Sequence, residues 1–190
     1  MSAVVAPATR YTTTAVLLHW LIAILILGSA TFGLILSGMP LSPRKLQWIA
    51  YHKWNGVTIF MLVALRLAWR VANPAPPLPA TMPAWQRLAA HASHAALYVL
   101  MFLIPVVGWL QSSAAGVPVI WFGVLPLPNP LAHDKPFAEL LLSIHQYLAF
   151  GLLAIIAVHA AAAIKHHLVE RDDILTRMLP FLRHPQPPVP

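Results

Sequence analysis

Ten histidines in a chain of 190 residues, with no cysteine and only five acidic residues, set the range of chemistry available. Imidazole is then the main candidate ligand and proton carrier. Two of the ten stand out by position. His145 and His159 lie within SIHQYLAFGLLAIIAVHAAAAIKHH, an apolar stretch covering 143–167. On an α-helix, 14 residues rise roughly 21 Å, and 14 steps of about 100° return the second ring to within roughly 40° of the first. One helix would therefore hold two imidazoles on one side, one near each face of a bilayer. An ionisable group inside a membrane span is costly, and its presence marks function by default.

The elements that must position these rings follow from composition. The chain is 59% hydrophobic and 9% charged, with mean hydropathy +0.72. A soluble domain carries about 25% charge, so an integral membrane protein of one domain is expected. The net charge of +7 comes from residues outside the apolar runs. Nucleic-acid binding would need a basic, aromatic-interleaved soluble face, which the sequence does not offer, so no nucleic-acid partner is expected. The lipid bilayer is the expected partner, with the basic residues at anionic headgroups. Absence of cysteine removes iron–sulfur clusters, covalently attached c-type haem, thiolate zinc and disulfides. No G-x-G-x-x-G or Walker pattern supports a bound nucleotide or flavin. A redox cofactor would have to be held by histidine or methionine.

Four apolar runs predict membrane spans over 15–36, 46–69, 86–111 and 139–164, within a membrane domain over 15–165. An N-terminal segment 1–14 and a tail 166–190 flank it. The first run is too long for the apolar region of a cleavable signal peptide, so it reads as an uncleaved span. YHKWNG weakens the second run near its start, and Pro105 is a candidate kink in the third. The proline-rich 73–84 cannot continue a helix and reads as a stiff connection. The longest loop, 112–138, carries Trp121, Phe122 and several prolines and reads as a segment lying on the membrane surface. Arg10, Arg66, Arg70, Arg87, Lys165, Arg171, Arg177 and Arg183 fall on the side of the termini, against Arg44, Lys45, Lys53 and Lys135 on the other. The positive-inside rule then puts both termini in the cytoplasm. The fold class expected is all-α, an integral membrane four-helix bundle with both termini cytoplasmic.

Depth pairs the histidines. His19 and His159 fall near the cytoplasmic ends of the first and fourth spans. His52 and His145 fall near the outer ends of the second and fourth. Two neutral imidazoles facing each other across a gap are what a six-coordinate b-type haem requires, and Gly33, Gly56 and Gly151 leave room for a porphyrin. Other chemistries compete. A lone membrane histidine can serve as a hydrogen-bond partner between helices. A structural zinc site needs three or four clustered ligands, whereas these pairs are separated by most of a bilayer. A proton relay recruits carboxylates at depth, but Asp134, Glu139, Glu170, Asp172 and Asp173 lie at span ends or outside. Arg66 and Arg70 are candidates to neutralise haem propionates or to snorkel to headgroups. His91 and His94 sit at the start of the third span, where they could compete with His19 or contact propionates. His133, His166, His167 and His184 read as solvated.

LLHW around His19, His52 early in the second span, LRLAWR followed by NPAPP, AHASHAALYVLMFLIPVVGW, and SIHQ…AVHAAAAIKHH followed by RDDILTRMLP together resemble the bacterial cytochrome b561 family. The resemblance runs from about Tyr11 to Pro180 and is strongest in the fourth span. It implies two b haems per chain, with His19 and His159 on the inner iron and His52 and His145 on the outer. It further implies a multi-pass protein of the bacterial inner membrane. Some members oxidise superoxide at the outer face and reduce ubiquinone, that is, superoxide:ubiquinone oxidoreductases. Others are haem-bearing anchors that take electrons from a partner hydrogenase or dehydrogenase. The first activity is the expectation here, with superoxide or another periplasmic donor and quinone as reaction partners. Arg44, Lys45, Lys53 and Lys135 could form a positive outer rim that attracts an anion, and solvated loop charge explains them equally well. A transporter without haem would be a colourless protein.

Overall fold

In the computed structural model, which describes residues 10–179 together with Phe181 and Leu182, four long helices carry most of the chain. They are α1 (Thr13–Gly38), α2 (Pro43–Ala72), α3 (Ala84–Ala114) and α4 (Lys135–Lys165), the last continued by a π-helical turn, His166–Glu170. Each is long and apolar enough to cross a membrane, and the four form an integral membrane bundle. At about 1.5 Å per residue they extend roughly 39 to 47 Å, against about 30 Å of hydrocarbon. The helices therefore overrun the predicted spans at both ends.

The extra turns have local causes. Thr12 and Ser42 accept hydrogen bonds from Ala15 N and Lys45 N, and Asp134 accepts one from Phe137 N. Pro43 and Pro136 stand in the first turns that follow, where a missing N–H costs nothing. Asp134 thus starts α4 four residues before the apolar run does. The helix α3 runs through Pro105 without a break.

The strongest packing is between α3 and α4, followed by α1 with α2 and α2 with α3. The α1–α4 pair is not among the well-packed ones. A buried cluster at mid-bundle joins Ile22 and Ile26 of α1, Ile59 and Val63 of α2, Leu97 of α3 and Leu152 of α4. A second cluster, Val107, Ala114, Ala138 and Leu141, fastens α3 to α4 nearer the connecting loop. Large apolar side chains such as Leu17, Ile24, Leu65 and Val158 point outward, as expected of a protein whose solvent is lipid.

The loop between α3 and α4 holds structure that its composition does not announce. Ile120–Trp121 and Leu125–Pro126 pair as a short antiparallel hairpin, β1 and β2. Its turn uses positive φ at Phe122 and Gly123. The hairpin is docked rather than laid flat: Trp54 Nε1 donates to Ile120 O at 2.6 Å, and Trp121 Nε1 donates to Thr58 Oγ1 at 3.2 Å. Trp109 Nε1 holds the following segment through Pro128 O. His133 is also held, its Nδ1 lying 3.1 Å from Ala114 O.

At the other end of the bundle the chain beyond α4 folds back. The reading of His166 as solvated is corrected here. Its side chain is 12% exposed and its Nδ1 lies between Glu170 Oε2 and Asp172 Oδ2. Glu170 reaches the ring across one helical turn, and Arg171, in a left-handed conformation, turns the chain so that Asp172 joins it. His167 Nδ1 is buried as well. Arg177 pairs with Asp173 and donates to Pro77 O, while Trp20 Nε1 donates to Met178 O. These bonds bring the start of α1, the 73–84 connection and the chain after α4 to one end. The expectations for 1–9, Arg183 and His184 lie outside the described residues.

Ser113 tests the loop attachment. It is 3% exposed, donates to Leu131 O at 3.1 Å and accepts from Leu131 N at 3.0 Å. Ser113→Ala strands both backbone groups and is expected to destabilise the protein by about 1–3 kcal/mol. Thermal unfolding in detergent, followed by circular dichroism, reads this directly, and an unmoved midpoint would refute the role given to Ser113.

Candidate functional site

Four helices each contribute imidazole to the interior, and the rings gather at two depths. At the termini end, His19 of α1 and His159 of α4 have ring centres 6.3 Å apart, with planes inclined by 65°. At the loop end, His52 of α2 and His145 of α4 have centres 6.1 Å apart, inclined by 78°. All four are half-buried. Leu152 stands midway between His145 and His159 on α4, two turns from each, in the central apolar cluster. The two sets of rings are thus separated by hydrocarbon.

The separations have a chemical reading. With metal–imidazole bonds of about 2 Å and ring nitrogens roughly 1 Å from their ring centres, two imidazoles on opposite sides of one metal have centres about 6 Å apart. Both pairs match that spacing. A direct hydrogen bond between two imidazoles would bring them closer. The spacing also explains the slight α1–α4 packing: rings projecting from both helices hold a gap open.

The sequence places His94 near the start of the third span, where it could compete with His19 or contact propionates. The helix begins at Ala84, and the ring of His94 lies 5.2 Å from that of His159. It therefore belongs to the termini-end cluster, while His91 is exposed. At 5.2 Å the His94–His159 spacing is short for two rings flanking one metal, against 6.3 Å for His19 and His159. Arg66 donates to Ala15 O, one turn before His19 on α1. The Arg70 guanidinium lies 5.9 Å from the centre of the Tyr98 ring, within cation–π range. Neither arginine is fully exposed.

Several contributors carried no separate signal in the sequence. Ser29 of α1 places Oγ 3.3 Å from His52 Nδ1, and Ile104 O of α3 lies 3.1 Å from His145 Nδ1. Both backings come from helices other than the one carrying the ring. Gly108 lets α3 approach: a Cβ there would lie 3.1 Å from both Cε1 and Nδ1 of His145. Gly33 does the same more loosely for His52, at 3.6 Å from Cε1. Of the glycines singled out for room, Gly56 and Gly151 face open space. A cleft of about 290 Å³ between α1 and α2 reaches His52 and is walled by Gly28, Ser29, Phe32, Tyr51 and Asn55. Tyr98 lies one turn beyond His94, and its Oη is buried without a partner among the described residues. An orphaned buried hydroxyl is costly and fits a site that receives a further oxygen-bearing group.

The donor set suits a haem: neutral imidazoles in opposed pairs, apolar walls, glycine cradles, open space beside the rings and arginine at one end. Comparisons with known proteins point the same way. Residues 10–181 match the family model described as prokaryotic cytochrome b561. The chain is 36% identical over 172 residues to cytochrome b561 homolog 2 of Escherichia coli K12, covering 90% of this chain and 91% of that protein. It is 30% identical over 177 residues to the probable superoxide oxidase CybB of Yersinia pestis, covering 92% and 98%. Cytochrome b561 homolog 1 of Escherichia coli K12 is 29% identical over 175 residues, covering 90% and 97%.

Gly108→Val tests the cradle at His145. The added side chain must displace the ring or the helix, so the variant is expected to bind less haem per chain than the parent in a pyridine haemochromogen assay. Gly38→Ala, where the added methyl meets nothing, is expected to bind as much as the parent. Equal haem in both variants would show that α3 does not define the position of His145.

Proposed function

Because the chain belongs to the prokaryotic cytochrome b561 family, and is therefore a multi-pass haem b membrane protein, we propose that it is a di-haem electron carrier that oxidises superoxide outside the membrane and reduces ubiquinone. Two superoxide anions would yield two molecules of dioxygen, and their two electrons with two protons would convert ubiquinone to ubiquinol. The observation that carries this reading is the repeated ring spacing, 6.3 Å at one end of α4 and 6.1 Å at the other. His19 with His159, and His52 with His145, would each hold one b haem. A haem so held would supply one-electron transfer.

The chain's own residues do the rest. The histidines orient and hold, and act neither as acids nor as bases. Arg66 has guanidinium N–H groups beyond the one given to Ala15 O, and with Arg70 and His94 it would meet propionates at the termini end. The Tyr98 hydroxyl, one turn from His94, is a further candidate for such a contact. The apolar walls exclude water from the interior. Arg44, Lys45, Lys53 and Lys135 would give the loop end a positive rim, which favours encounter with an anion. The excess of Lys and Arg at the termini end supports cytoplasmic termini, with the bacterial inner membrane as the site of residence. The name of the Yersinia pestis relative supports superoxide as donor. Service as a haem-bearing anchor for a partner dehydrogenase is the other reading, and no observation in the fold favours it.

The purified protein is expected to show two low-spin b haems per chain, and each of His19→Ala, His52→Ala, His145→Ala and His159→Ala is expected to lose one. Superoxide should drive ubiquinone reduction by the protein alone, at a rate that falls as ionic strength screens the rim. Retention of both haems in any variant would remove that histidine from the ligand set. Full haem content with no superoxide-dependent reduction would shift the reading to the anchor.

A further inference from the structure

Ser29 and the Ile104 carbonyl both back the loop-end rings. We infer that Ser29 is a positioning residue for His52, and that together with the Ile104 carbonyl it sets the loop-end haem at the lower of two reduction potentials. The inference rests on the proposed ligand pairs.

The argument starts from proton positions. A neutral imidazole offers one ring nitrogen to a metal and carries its proton on the other. Ile104 O can only accept, so the 3.1 Å contact requires that His145 Nδ1 carry the proton. His145 Nε2 is then left for iron. His52 reaches the same state through Ser29, whose Oγ lies 3.3 Å from Nδ1. With Nε2 given to iron, Nδ1–H must donate and Ser29 Oγ must accept. The hydroxyl proton of Ser29 is turned elsewhere. Ser29 sits on α1 and His52 on α2, so the ring is held from both sides, with Gly33 allowing α1 to come close to Cε1.

Such a bond does more than orient. Donating Nδ1–H raises the electron density of the ligating imidazole. A richer ligand favours ferric iron and lowers the reduction potential, one of the protein's main means of adjusting it. Both loop-end ligands are backed in this way. The termini end carries the opposite influence: Arg66 is fixed to Ala15 O, one turn from His19. A fixed positive charge in a low-dielectric interior favours the form that has gained an electron. The two ends are thus graded in one direction, with electrons running downhill from the loop end to the termini end.

Redox titration followed optically, with haem counted in the same samples, tests this. Ser29→Ala is expected to raise the lower midpoint and leave the upper one in place. Ser29→Thr keeps the hydroxyl and should restore the parent value. Arg66→Gln should lower the upper midpoint alone. A Ser29→Ala protein that loses one haem and keeps the upper midpoint would also support the positioning role. Unmoved midpoints in Ser29→Ala with both haems retained would overturn the inference while leaving the ligand pairs intact. A shift confined to the upper midpoint would overturn it equally. A parent protein that binds fewer than two haems would instead overturn the pairing on which it rests.

Discussion

An imidazole placed deep in hydrocarbon must be given something to bind. Lipid offers no hydrogen bonds, and water is excluded where the helices meet. This chain places five rings inside one bundle, and the packing follows from satisfying them. α1 and α4 stay apart where His19 and His159 face each other. α3 comes close to α4 at Gly108, where the Ile104 carbonyl must reach His145. α1 comes close to α2 at Gly33, where Ser29 must reach His52. Between these levels the bundle closes over Ile22, Ile59, Val63 and Leu152, side chains that ask for nothing but contact.

The two ends of the bundle meet the membrane surface by different means. At the loop end, tryptophans do the fastening: Trp54, Trp109 and Trp121 each donate an indole N–H to a neighbouring segment. Such rings combine an apolar body with a polar edge, which suits the interface. At the termini end Trp20 donates to Met178 O and Arg177 to Pro77 O, and a local ionic set stands beside them: Lys165 with Glu170 and Arg177 with Asp173, with His166 between Glu170 and Asp172. The carboxylates and their cations lie where a long helix leaves the hydrocarbon, so pairing costs them less desolvation than it would at depth.

Much of this was readable in advance, and the remainder was not, for physical reasons. Hydropathy located the four helices, because length and apolarity are what the bilayer demands. Helical periodicity put His145 and His159 on one side of the fourth span, and depth set them level with His52 and His19, the rings found near them. The sequence put His94 at the end that His19 and His159 occupy, but only helix packing brings its ring to 5.2 Å from that of His159. The hairpin at Ile120 depends on long-range bonds to Trp54 and Thr58, which no local pattern predicts. His166 looked solvated because one of its two carboxylate partners, Asp172, reaches it only after Arg171 adopts positive φ. Ser29 and Gly108 lie on helices other than those bearing the rings they touch, so their roles depend on packing that spacing along the chain does not encode.

The buried set at mid-bundle bears on energy conservation. Its members, from Ile22 to Leu152, carry no polar side-chain atom on which a proton could rest. A chain of water molecules needs polar company to persist; these six side chains provide none, and the Tyr98 hydroxyl packed beside them is one group where a relay needs several. Electrons can tunnel past aliphatic side chains, whereas protons need a relay of donors and acceptors. A bundle closed in this way would conduct one kind of charge and insulate against the other. Transfer between its two ends would then register as an electrical displacement across the bilayer, with protons drawn from whichever face the final acceptor meets.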